Sequence, residues 1–230
     1  MSGGLTSRLP RMLRDVPPIG LLIASNLVPL AGVAWWGWHL GTVMVLYWLE
    51  NGIVGVLNAL RMAVAALAAE EHSGREKPVG GTDVAWVLRV AARMSMIPFF
   101  VIHYGIFWVV HGVFVFTLFA GPAPFGKAAG PTPATTGVDP LAVATGVVGL
   151  ALYHIVAFLY WDVYRGEARR HSPDELMFSP YPRLVVLHMT IIVGAILVAE
   201  TGQPIAALAL LVVLKTVIDL GGQLFVHRAR

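Results

Sequence analysis

The stretch IPFFVIHYGIFWVVHGVFVFTLF, residues 97–119, decides the fold class. A bilayer is spanned by about 20 predominantly apolar residues, and this segment is that long. It reads as lipid-soluble apart from two histidines, His103 and His111. Hydrocarbon offers the backbone no hydrogen-bond partners, so such a segment must be a helix. Comparable apolar blocks recur at residues 17–38, 42–64, 139–163, 184–200 and 204–226. The expected fold is therefore all-α. Six transmembrane helices form one bundle, and residues 1–230 make a single integral membrane domain.

Composition agrees. The chain is 57% hydrophobic and 13% charged, against about 25% charged in an ordinary soluble domain. That is too little charge to cover a soluble surface. With no cysteine, disulfides, thiolate metal sites and cysteine nucleophiles are excluded. The net charge of +3 is small, and nucleic acid is not an expected partner. Neither a glycine-rich phosphate loop nor a G-x-S-x-G elbow is present. At the amino end, Arg8, Arg11 and Arg14 precede PPIGLLIASNLVPLAGVAWWGW. That run is long and ends in three tryptophans rather than a small-residue cleavage site, so it reads as a retained first span and not a signal peptide.

Lysine and arginine set the orientation. With the amino end in the cytoplasm and strict alternation, all sixteen basic residues fall on the cytoplasmic side except Lys127, outside, and Lys215, within the sixth span. This asymmetry follows the positive-inside rule. It places both termini in the cytoplasm and the protein in the cell (inner) membrane. Trp35, Trp36, Trp38, Tyr47 and Trp48 fall near the outer surface, and Tyr160, Trp161 and Tyr164 near the inner one, as interfacial aromatic belts do.

Two cytoplasmic segments carry helix signals. After Thr82 and Asp83, Arg89 and Arg93 stand four apart on one face, which predicts an amphipathic helix in the headgroup layer that bends into the third span near Pro98. Ser172, Pro173, Asp174 and Glu175 predict a short surface helix, with an extended proline-rich stretch after it. GPAPFGKAAGPTPATTGVDP, residues 121–140, reads as a loop.

The candidate site comes from ionisable groups inside the spans: Glu50, His103, His111, His154, His188, Lys215 and Asp219. Each costs roughly 2.5–3.5 kcal/mol to insert, so such groups face a bundle interior and mark function. At about 100° per residue, Tyr47, Glu50, Asn51, Asn58 and Arg61 share one stripe of their helix, and Lys215, Thr216, Asp219 and Gln223 share another. Counting about 1.5 Å per residue from each span's edge predicts two layers. His103, His154, His188 and Asp219 form the inner one, with Asn58 near the same level. Glu50 and His111 form the outer one, with Lys215 reaching toward it.

Three imidazoles and a carboxylate from four helices make a ligand set for zinc or non-haem iron. The leading expectation is a metal site at His103, His154, His188 and Asp219. If the site is catalytic, Glu50 or Asp219 would handle the proton for a membrane-soluble substrate. The alternative is an oligomeric proton- or ion-conducting protein that relays through both layers. A further alternative is haem held by His103 with His154 or His188. The plainer readings are interhelical hydrogen bonds for the histidines and asparagines, an internal Lys215–Asp219 ion pair, and close helix packing at the NGIVG glycines. The lipid bilayer and further copies of the chain are the expected partners.

At YWLEN (47–51), HYGIFWVVHGVF (103–114), RLVVLH (183–188) and LKTVID (214–219) the chain resembles an uncharacterised family of bacterial and archaeal polytopic membrane proteins, a domain of unknown function. The resemblance implies prominence for Glu50, His103, His111, His188 and Asp219, and no reaction. The family pattern places a histidine four residues after the KT-x-x-D aspartate; this chain has Gln223 there.

Overall fold

The computed structural model describes residues 31–33, 35–72, 84–120 and 137–201, and positions 210, 211, 213, 214 and 217. Among these residues the fold is all-helical. The elements are α1 (Leu40–His72), α2 (Val84–Met94), α3 (Met96–Val115, continued by a π-helical turn Phe116–Ala120), α4 (Pro140–Ala157, continued by a π-helical stretch Phe158–Tyr164), a 3-10 turn (Glu167–Arg170), α5 (Pro173–Phe178) and α6 (Tyr181–Thr201). Four segments are long and apolar enough to cross a membrane: Leu40–Ala68, Val87–Ala120, Pro140–Tyr164 and Pro173–Leu197. Against the expected six, four such segments are found among the described residues. Most of the expected spans at 17–38 and 204–226 lies outside the described residues.

The outside of the bundle is mostly apolar, although His103 and His188, expected to face the interior, are exposed on it. Phe99, Ile102, Ile106, Phe107, Val110 and Phe114 of α3 are exposed, as are Leu152, Val156 and Leu159 of α4. Buried positions, by contrast, include Thr42, Glu50, Asn51, Asn58, His111, Asp162 and Thr190. Apolar outside with polar groups inside is the arrangement a hydrocarbon solvent selects.

α1 is the central helix and packs against every other described helix. In its most apolar stretch 61% is buried, against 6% for α4, which lies at the periphery. Its small residues explain the close packing. A Cβ on Gly52 would meet the Trp108 ring at 3.0 Å, and one on Gly112 would meet the Trp48 ring at 2.8 Å. Room made by these two glycines lets Trp48 and Trp108 stack with centroids 4.4 Å apart. Each indole N–H also donates to the other tryptophan's carbonyl at 2.8 Å. Both polar indole groups are thereby satisfied inside a reciprocal clasp.

Helix ends follow local chemistry. The Asp139 carboxylate caps α4, accepting from the Leu141 and Ala142 N–H groups, and Pro140 takes the first turn, where its missing N–H is not needed. The Asp139 N–H donates to Thr42 Oγ1 at 2.9 Å, tying the start of α4 to the start of α1. α2 forms as expected. Its break from α3 falls at Ser95, near Pro98 as expected, because Pro98 lacks the N–H that would reach back four residues to Met94. The Ser95 hydroxyl donates to the Ala92 carbonyl there at 2.7 Å. α5 begins at Pro173, where the Glu175 carboxylate accepts from the Ser172 N–H at 3.2 Å. The stretch after it is not extended, since α6 starts at Tyr181 with Pro182 in its first turn.

Contacts fix the helix directions. Gly55 faces Tyr104, and Trp48 meets Trp108, so α1 and α3 are antiparallel. Thr42 with Asp139, Leu46 with Gly146 and Arg61 with Asp162 make α1 and α4 parallel. His103 with Tyr181 and His111 with His188 make α3 and α6 parallel. The described helices alternate in direction along the chain, as successive spans must.

Candidate functional site

Glu50 lies on the polar stripe of α1, and its side chain is only 7% exposed. Its Oε1 is 3.1 Å from His154 Nε2 of α4, which is itself nearly buried. The same oxygen is 4.0 Å from Arg183 Nη1 at the start of α6. One carboxylate thus draws together three helices. An arginine is always charged and can only donate, while an imidazole can either donate or accept. The pair Glu50–His154 can therefore share a proton in two arrangements: carboxylate with imidazolium, or carboxylic acid with neutral imidazole.

Next along the chain, Asn51 donates from Nδ2 to the Tyr47 carbonyl at 2.9 Å. The Tyr104 hydroxyl donates to the Asn51 backbone carbonyl at 3.0 Å. Asn51 Oδ1 is buried and accepts no hydrogen bond among the described residues.

His111 and His188 form a second pair. His111 Nδ1 is 2.6 Å from the Phe107 carbonyl, and its Nε2 is 3.1 Å from His188 Nδ1. A carbonyl only accepts, so His111 Nδ1 must carry its proton, and in the neutral ring Nε2 is the lone pair. That lone pair accepts from His188 Nδ1–H. His111 is buried and His188 is exposed. The α1–α3 register of the tryptophan clasp sets Glu50 and His111 at about the same height.

Below this level the ladder continues. His103 Nδ1 contacts the Tyr181 hydroxyl at 2.6 Å. The His103 ring is exposed between Phe99 and Phe107. Asn58, 2% exposed, donates to the Leu176 carbonyl at 2.9 Å and accepts from the Ser179 hydroxyl at 3.0 Å. Arg61 Nε donates to the Asp162 carboxylate at 2.8 Å. The α1 stripe read from the sequence is thus a real seam: Glu50 and Arg61 engage α4 and its continuation, Asn58 engages α5, and Asn51 bonds within α1.

The layering differs from the one expected. His154 joins Glu50, His188 joins His111, and His103 stands apart with Tyr181. Among the described residues no group of three His, Asp or Glu side chains gathers to hold a metal ion. Asp219 and Lys215 lie outside the described residues. The two-layer expectation counted depth from each span's own edge; the actual register slides His154 to the level of Glu50 and His188 to that of His111. Arg183, Tyr104 and Tyr181 are site neighbours that the sequence reading left out. Arg183 stands one position before the expected fifth span and was counted only as a cytoplasmic charge, although a long cationic side chain at a helix end can reach several ångströms inward.

No curated protein and no solved structure matches the chain. A family profile matches residues 8–230, nearly the whole chain. The protein belongs to the family of unknown function DUF6498.

Proposed function

We propose that this chain is a multi-pass membrane protein that moves protons, alone or coupled to a solute, along the polar seam of α1, with Glu50 as the proton-exchanging carboxylate. The observation that carries this reading is the sharing of one buried carboxylate oxygen by His154 at 3.1 Å and Arg183 at 4.0 Å. Buried ionisable groups among apolar helices line proton and ion paths. A contact of that length is within direct proton-transfer reach. The unsatisfied Asn51 Oδ1 lends support, because a buried acceptor left unpaired costs about 1–3 kcal/mol. A donor brought to this level, such as a water or protonated Glu50, would offset that cost.

The metal-dependent enzyme and the bis-histidine haem protein receive less support from the geometry. Their proposed ligands His103, His154 and His188 each contact a different side chain on another helix. Infrared difference spectroscopy on protein in bilayers tests the proposed role of Glu50. A step to lower pH should raise a protonated-carboxyl stretching band that is missing in Glu50→Gln and displaced in His154→Ala. A spectrum identical in wild type and Glu50→Gln would contradict the reading.

A further inference from the structure

The His111–His188 pair is not used by the proton path through Glu50, and its geometry has a second meaning. Two imidazole nitrogens bound to one tetrahedral ion at about 2.0–2.1 Å stand roughly 3.3 Å apart. His111 Nε2 and His188 Nδ1 are 3.1 Å apart and face one another. An ion between them needs the rings to part by a few tenths of an ångström and each to swing by roughly 35°, so that the two lone pairs converge on a tetrahedral centre. It also needs His188 to carry its proton on Nε2 instead of Nδ1, a change of tautomer that costs no charge.

The partner of the other His111 nitrogen points the same way. A metal-ligating histidine almost always donates its second ring N–H to a carbonyl or carboxylate, which fixes the ring and raises its basicity. His111 Nδ1–H is held by the Phe107 carbonyl at 2.6 Å, leaving Nε2 as the inward lone pair. The two histidines come from α3 and α6, which run parallel and hold a second rung between His103 and Tyr181, so the separation is set by two packed helices. His111 is buried and His188 is exposed, so the pair has one ligand anchored in the bundle and one at its surface.

We propose that His111 Nε2 and His188 Nδ1 form the protein half of a binding site for a borderline first-row dication of the zinc class. Imidazole suits Zn, Co, Ni and Cu, whereas Mg and Ca prefer oxygen. Two histidines leave the remaining coordination positions open to water or to a further ligand.

Cobalt(II) and zinc(II) binding to the full chain in detergent tests this. Wild type should take up one Co(II) per chain, with visible ligand-field bands that added Zn(II) abolishes and added Mg(II) does not. His111→Ala and His188→Ala should each weaken uptake at least about tenfold, one contact's worth on the scale of ligand and outer-shell losses. His111→Gln, closer in size, guards against misfolding: it should keep the wild-type elution profile and still lose the bands. His103→Ala should bind as wild type does. Absence of saturable uptake in wild type would overturn the proposal, as would full uptake in the His111→Ala/His188→Ala double variant. Neither result depends on Glu50, so a failure here leaves the proton-exchange reading to its own test.

Discussion

At the scale of single residues, the site is governed by how each polar group inside an apolar bundle is satisfied. Arg61 and Asp162 show this toward the far end of the seam. Asp162 is buried, Arg61 is partly exposed, and the two meet at 2.8 Å. Removing one partner leaves a carboxylate that water reaches poorly, which costs more than removing both. Thermal unfolding in detergent should show Arg61→Ala and Asp162→Asn each destabilising, with the double variant less damaged than their sum. A coupling of about 1 kcal/mol is expected, within the range for contacting charged pairs. Strict additivity would mean that the pair contributes no interaction. Glu50 obeys the same logic with two partners instead of one. Its carboxylate engages side chains from two other helices, His154 and Arg183.

At the scale of elements, the bundle depends on the clasp between α1 and α3. Two stacked indoles, each satisfying the other's backbone carbonyl, are possible only because Gly52 and Gly112 leave room. Gly112→Ala would press a methyl carbon to 2.8 Å from the Trp48 ring, an overpacking of the kind that costs about 1–3 kcal/mol. Gly149 on α4 meets nothing within 4 Å, so Gly149→Ala should be neutral or slightly stabilising. Melting temperatures of the two variants, measured side by side, check this; equal losses would contradict the clasp. The glycines of NGIVG were legible in the sequence as a packing signal, and so was the polar stripe of α1, because helical periodicity needs only one helix. The amphipathic α2 and the Ser172–Glu175 start of α5 were legible for the same reason. The pairing of stripes was not. His154 and His188 found Glu50 and His111 because of the register between helices, which depends on where each helix begins and how it packs. The π-helical stretch that carries Asp162 and the α6 start at Tyr181 both alter that register, and neither has a local sequence signal strong enough to count from.

At the scale of the whole molecule, an apolar exterior encloses a ladder of polar rungs carried on one central helix. Glu50 and Arg61 contact α4 and its π-helical continuation, and Asn58 between them contacts α5, so the seam runs along the middle of α1. Composition alone foretold the exterior. It could not foretell that, among the described residues, the histidines would stand in separate pairs. Of the rungs on α1, the Glu50–His154 pair joins two groups that can each bind and release a proton. The most direct test is proton flux in liposomes that carry the purified protein, with an interior pH dye and an imposed potential. The account predicts that wild type dissipates the gradient and that Glu50→Gln, folded and inserted to the same extent, does not. Wild-type liposomes indistinguishable from empty ones, or Glu50→Gln liposomes indistinguishable from wild type, would contradict it.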